Sequence, residues 1–147
     1  MIIFLDTSSL FKLYHKETGT KELEVIFDTN TINEIILSEL TKIEFASTIW
    51  KKVRTKELTS EAGVKTIQLF ESDYSKFTFI ALNSLVIEYA RNLISTYGAL
   101  GLRTLDSIQL ASSISTREKV DLFITADLLL QELMNKEGLN VLRSTTI

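Results

Sequence analysis

The sequence predicts an α/β domain, a short and mostly parallel sheet with helices on both sides. Three observations carry this. The opening run MIIFL (1–5) is continuously apolar rather than alternating, the pattern of a strand covered on both faces. Further short apolar runs recur along the chain, separated by stretches of helical length and pattern. The 147 residues include no Pro and only 5 Gly, and show no linker, low-complexity tract or internal repeat. Residues 1–147 are therefore expected to form a single domain.

The elements follow in order. The first strand, 1–5, stops abruptly at Asp6. Short helices are expected over 8–14 and 20–27, then a second strand, EIIL, over 34–37. Ser38 is placed to cap a long helix reaching about Lys56, with Leu40, Ile43, Trp50 and Val53 along its inner side. Thr59 is placed to cap the next helix, which turns Val64, Ile67 and Phe70 inward. FTFIAL (77–82) reads as a third strand, and 84–97 as a helix stopped near Gly98. Thr104 is placed to cap a helix reaching about Arg117. DLFIT (121–125) is a strand, 127–136 a helix ended by Gly138, and NVLR (140–143) a last strand. In such sheets ligands gather outside the carboxyl ends of the strands.

Composition narrows the chemistry. A hydrophobic fraction of 45% with 24% charged residues reads as a soluble globular chain. With no Cys there is no disulfide framework, thiolate nucleophile or thiolate metal site. The single His, His15, excludes sites that need two or three imidazoles. Any metal is expected on oxygen ligands, which favours Mg²⁺ or Mn²⁺. The net charge of −3 does not advertise a nucleic-acid partner, though a local basic patch would suffice for one. No stretch approaches the roughly 20 apolar residues of a membrane span. The N-terminus lacks the basic region of a signal peptide, so a cytoplasmic protein is expected.

Four acids stand where a site would form. Asp6 follows the first strand, Asp127 follows DLFIT, and Asp106 lies in the first turn of the helix in LRTLDSIQLASS. Each of these Asp residues would also serve as a helix cap. Glu44, in SELTKIEFASTIWKK, lies well inside its expected helix, at the edge of the apolar stripe and beside small residues. Carboxylates gathered closely repel one another unless a cation neutralises them. A hard divalent ion does so, and it also binds phosphate and activates water. That is phosphodiester hydrolysis without Cys or a catalytic His. Arg103 is placed to contact a phosphate, whereas the basic run Lys51, Lys52, Arg54 and Lys56 reads as a solvated helix end. The hydroxyls of Thr7, Ser8 and Thr125 read as ordinary turn caps.

With these residues in view, the chain resembles the PIN-domain nucleases, and among them the VapC-type toxin ribonucleases. The resemblance spans nearly the whole length in four blocks: FLDTSSLFKLYHKETG, LSELTKIEFASTIWK, LRTLDSIQLASS and LFITADLLLQELMNKEGLNVL. It implies a three-layer α/β/α PIN-like fold and places Asp6, Glu44, Asp106 and Asp127 in one active site. It further implies Mg²⁺ or Mn²⁺ held directly by Asp6 and Asp106, with Glu44 and Asp127 acting partly through water. It implies an endoribonuclease of a type II (VapBC) toxin–antitoxin pair, a separate antitoxin chain and a homodimer. Phe11, Leu13 and Tyr14 are candidates for core or for the antitoxin's docking surface. The alternatives are a housekeeping RNA-processing PIN domain, or a catalytically inactive one that only binds RNA or protein. A haloacid-dehalogenase-like phosphatase fits less well, since Ser8 stands where it needs a second Asp. A receiver domain lacks its acidic pair and its Lys.

Overall fold

The computed structural model of the chain describes residues 1–142. Four parallel strands, β1 (Ile2–Leu5), β2 (Glu34–Ser38), β3 (Thr78–Ile80) and β4 (Leu122–Ile124), form one sheet in the order β3-β2-β1-β4. The strand MIIFL predicts is therefore central, flanked by β2 and β4. Its continuous apolar character follows from the pleat, which sends successive side chains to opposite faces. Phe4 joins Ile36, Leu110, Phe123 and Leu133 in a core on one face. Ile3 and Leu5 join Leu37, Phe45, Ile49 and Phe70 on the other.

Helices α1 (Thr7–Phe11), α2 (Thr20–Thr29), α3 (Thr41–Arg54) and α4 (Ser60–Ser72) link β1 to β2 and β2 to β3, and they contribute to the second core. Helices α5 (Ser84–Tyr97) and α6 (Thr104–Ser115) then carry the chain from β3 across to β4, over the opposite face, where α7 (Leu128–Lys136) also packs. The result is the expected three-layer α/β/α arrangement. The strand order reverses direction beside β1, so the carboxyl ends of β1 and β4 flank a topological switch point. Open parallel sheets leave a crevice there.

Several local expectations are corrected. Ser38 ends β2 rather than capping α3; its hydroxyl accepts from the Leu40 amide at 3.2 Å, and α3 begins at Thr41 without a side-chain cap. The buried face of α3 is Thr41, Phe45 and Ile49, while Ile43 is 67% exposed and Trp50 41%. In α4, Gly63 and Phe70 are buried and Val64 is 40% exposed. The small Gly63 lets α4 lie close to α3, since a Cβ there would stand 2.9 Å from Val53 Cγ2. Arg103, not Thr104, occupies the cap position of α6, without a side-chain bond. The last expected strand reduces to one bridge, Val141 to Phe123; Arg143 lies outside the described residues. Thr59, by contrast, caps α4 as expected, and Gly138 follows α7 with a φ of +79°.

Candidate active site at the switch point

Four helix starts meet the carboxyl end of the sheet, and each brings an acid. Asp6 leaves β1 and caps α1, its carboxylate accepting from the Ser9 amide at 3.0 Å. Asp127 follows β4 and caps α7 through the Leu130 amide at 2.7 Å. Asp106 stands in the first turn of α6. Glu44 also falls in a first turn, because α3 starts two residues later than a cap at Ser38 would place it. It is nonetheless no cap, for its bonds are to side chains. All four acids line a single cleft of about 320 Å³.

Asp6 is the most tightly held of them. It is 4% exposed, and both of its oxygens accept from the Ser8 hydroxyl at 2.8 Å. The Ser9 hydroxyl donates to Oδ1 at 2.8 Å, and Thr125 donates to Oδ2 at 2.7 Å. The same hydroxyls also tie in the β4 turn: Ser8 accepts from the Ala126 amide, and Thr125 from the Asp127 amide, both at 3.0 Å. The turn-capping role expected of Ser8 and Thr125 is thus only part of what they do, for they orient the carboxylate that faces the cleft. Thr7 does the same for Glu44, donating to its Oε1 at 2.7 Å.

Gln109 is the residue that the sequence did not single out. It lies three positions after Asp106 on α6, so both project from one side of the helix. It is 2% exposed, and its amide nitrogen donates to Glu44 Oε1 at 2.7 Å and to the hydroxyls of Thr7 and Thr41 at 3.1 Å. Glu44 is thereby held by one oxygen, and no described hydrogen bond reaches Oε2. The signal was present in SIQLASS, where a Gln interrupts an otherwise apolar or small helix face.

Burial and mutual repulsion show in the electrostatics. Desolvation pushes the Asp6 carboxyl up despite the hydrogen bonds from Thr125, Ser9 and Ser8 that oppose it. Burial also raises Glu44, against the hydrogen bonds of Gln109 and Thr7. Asp106 is pushed up to about 6, first by burial and then by the charges of Asp127, Glu44 and Asp6, with Arg103 pulling the other way. A carboxyl raised by the fold stabilises it when protonated. That contribution is fully present below the unfolded value near 4 and is lost as pH rises through about 6. In chelator, the melting temperature should therefore fall between about pH 4 and pH 7, and less steeply in Asp106→Asn. Half exposed as Asp106 is, the difference at pH 7 is about 1 kcal/mol. Parallel melting curves for the two proteins would remove Asp106 from the repelling group.

Comparison with known proteins then decides the family. The model of the PIN domain matches residues 3–135. The chain belongs to the PIN domain family. PIN domains are generally nucleases. A comparison with curated protein sequences gives no match. Among solved structures, this PIN domain is similar to a toxin–antitoxin complex from Klebsiella pneumoniae, at 17% identity and TM-score 0.68, covering 99% of each chain. It is similar to FitAcB from Neisseria gonorrhoeae, at 15% identity and TM-score 0.70, covering 96% of each. It is also similar to VapC20 of Mycobacterium tuberculosis, described as a sarcin-ricin loop cleaving toxin, at 14% identity and TM-score 0.65, covering 89% of this chain and 94% of that one.

The remaining expected residues sit around the PIN cleft. Arg103 is exposed and lines a neighbouring depression with Glu44, Thr104, Leu105 and Asp106. His15 stacks on Phe11 at 5.4 Å between ring centres and does not line the acidic cleft. Phe11 is 3% exposed and belongs to the core, and Leu13 and Tyr14, half-buried, pack against it. Among the described residues no three acidic or imidazole side chains are gathered tightly enough to hold an ion. The ligating atoms the cleft offers are oxygens, from carboxylates, hydroxyls and the Gln109 amide, whose Oε1 has no hydrogen-bond partner, a set that fits a hard cation completing its shell with water.

Proposed function

We propose that the chain is a Mg²⁺- or Mn²⁺-dependent endoribonuclease of the VapC type, the toxin of a toxin–antitoxin pair whose antitoxin is a separate protein. The observation that carries this reading is the gathering of Asp6, Glu44, Asp106 and Asp127, from four distant segments, into one cleft at the switch point. The likeness in fold to toxin–antitoxin complexes and to an RNA-cleaving toxin supports it. In this reading the protein is cytoplasmic and works as a homodimer.

Asp6 and Asp106, both lining the cleft, are the residues that would hold the ion, with Asp6 fixed by three hydroxyls. Such an ion, when bound, neutralises the crowded carboxylates and polarises the phosphodiester. Glu44 is oriented by Thr7 and Gln109 through Oε1, which leaves Oε2 to take a proton from the attacking water. Asp127, which lines the same cleft, would orient that water, and Arg103, in the neighbouring depression, would meet the RNA phosphate.

The test is cleavage of structured and single-stranded RNA by the purified protein with Mn²⁺, with Mg²⁺ and with chelator. Cleavage is expected only with the ions present. Cleavage unchanged by chelator would overturn the mechanism. Intact RNA under every condition would overturn the nuclease reading itself.

A further inference from the structure

The acidic cleft has a basic end that the reading above does not use. Lys12 and Lys52 line it together with Glu17 and Thr48. Lys12 is only 7% exposed, and a lysine is seldom so buried unless it is paired. Its ammonium donates to Glu17 Oε1 at 2.9 Å and to the Thr18 carbonyl at 2.7 Å. The Lys52 ammonium lies 3.8 Å from Glu17 Oε2 and 3.0 Å from Glu57 Oε2, and 5.5 Å from the centre of the Phe11 ring. One carboxylate thus spans two ammonium groups, each of its oxygens turned to a different lysine.

A backbone phosphate offers the same pattern, two anionic oxygens on one centre. Its need for such a position is plain. The cleft is lined by five acids, Asp6, Glu17, Glu44, Asp106 and Asp127, against two lysines, so a polyanion entering it meets repulsion everywhere but here. The spacing places the lysines within a nucleotide step or two of the acids. Glu44, Thr48 and Lys52 form one column along α3, which separates the acid from the lysine by about 12 Å along the helix axis. The α1 segment repeats the arrangement, with Asp6 at its start and Lys12 at its end.

We propose, resting on the nuclease reading, that Lys12 and Lys52 form a subsite for an RNA phosphate adjacent to the one cleaved, and that Glu17 covers this subsite in the free protein. Entering RNA displaces the Glu17 carboxylate and takes over its two lysine contacts. Glu17 then acts as a built-in competitor of the substrate.

A purely structural ion pair and a covered subsite differ in sign. Losing either partner of a structural pair has the same consequence, whereas losing the lysine and losing the acid of a covered subsite have opposite ones. The experiment is steady-state RNA cleavage in Mn²⁺ by the native chain, Lys52→Gln and Glu17→Gln, each assayed at a temperature where its melting curve shows it fully folded, since Glu17→Gln strips the buried Lys12 of its charged partner. Lys12 is too buried for its removal to be a clean test. Lys52→Gln should raise KM about tenfold with kcat little changed. It should also lower the slope of log KM against log salt by about 0.7, the contribution of one phosphate contact on a single strand. Glu17→Gln should lower KM. If both variants raise KM, or neither moves it, while the native chain cleaves RNA, the subsite is overturned and the nuclease reading stands. If the native chain does not cleave, the nuclease reading falls and the subsite falls with it.

Discussion

Asp6→Asn should lower RNA cleavage by about a thousandfold or more without lowering the stability of the metal-free protein. The two halves of this expectation have different causes. In the proposed mechanism the activity depends on a full carboxylate charge at the end of β1, which the amide lacks. The fold depends on hydrogen bonds, and Asn keeps most of them. Its oxygen still accepts from the Ser9 amide and hydroxyl, and the hydroxyls of Ser8 and Thr125 rotate to accept from its nitrogen. The variant also removes a buried charge that the site disfavours. Asp6→Ala separates the roles, since it strands those donors and removes the α1 cap, at a cost of about 1–3 kcal/mol. Melting curves in chelator beside a cleavage assay measure both. Retained cleavage with a large loss of stability would make Asp6 a cap and nothing more.

Phe45→Ala should cost about 3–5 kcal/mol, a large part of the stability of an ordinary domain. Phe45 is fully buried, its ring 4.4 Å from that of Phe70 and 5.5 Å from those of Phe11 and Tyr14. The residue beside it is Glu44, so the packing that anchors α3 also fixes the carboxylate one position earlier. Denaturant unfolding measures the loss, and the folded fraction should cleave RNA more slowly as well. A loss under about 1 kcal/mol would show that this aromatic cluster does not pack as described.

The sequence made the sheet legible wherever a strand is buried on both faces. MIIFL, EIIL and DLFIT show the uninterrupted apolar run that double coverage produces, and the acids that follow two of them stand out. Helix faces were harder to read. In α3 the large apolar residues Ile43 and Trp50 suggest a buried stripe, but the start at Thr41 turns Phe45 and Ile49 inward instead. A helix that begins without a side-chain cap leaves no mark of its frame in the sequence. The polar interior was hidden for another reason. Gln109 and Thr41 are buried where partners distant in sequence bond them, and Lys12 where the loop at Glu17 and Thr18 folds back on it; periodicity carries no record of such pairings.

The topology has one further consequence, in the order of synthesis. Asp6 is among the first residues made, yet much of what holds it comes late. Its amide donates to the Ile124 carbonyl at 3.3 Å, the Ser9 hydroxyl donates to the same carbonyl at 2.8 Å, and Thr125 grips the carboxylate itself. A growing chain that has released β1, β2, β3 and α6 owns three of the four acids but lacks the edge against which the first is set. Parallel pairing across so long a separation forms slowly. Under the proposed function, the site cannot act until the segment around Asp127 has emerged and docked against β1.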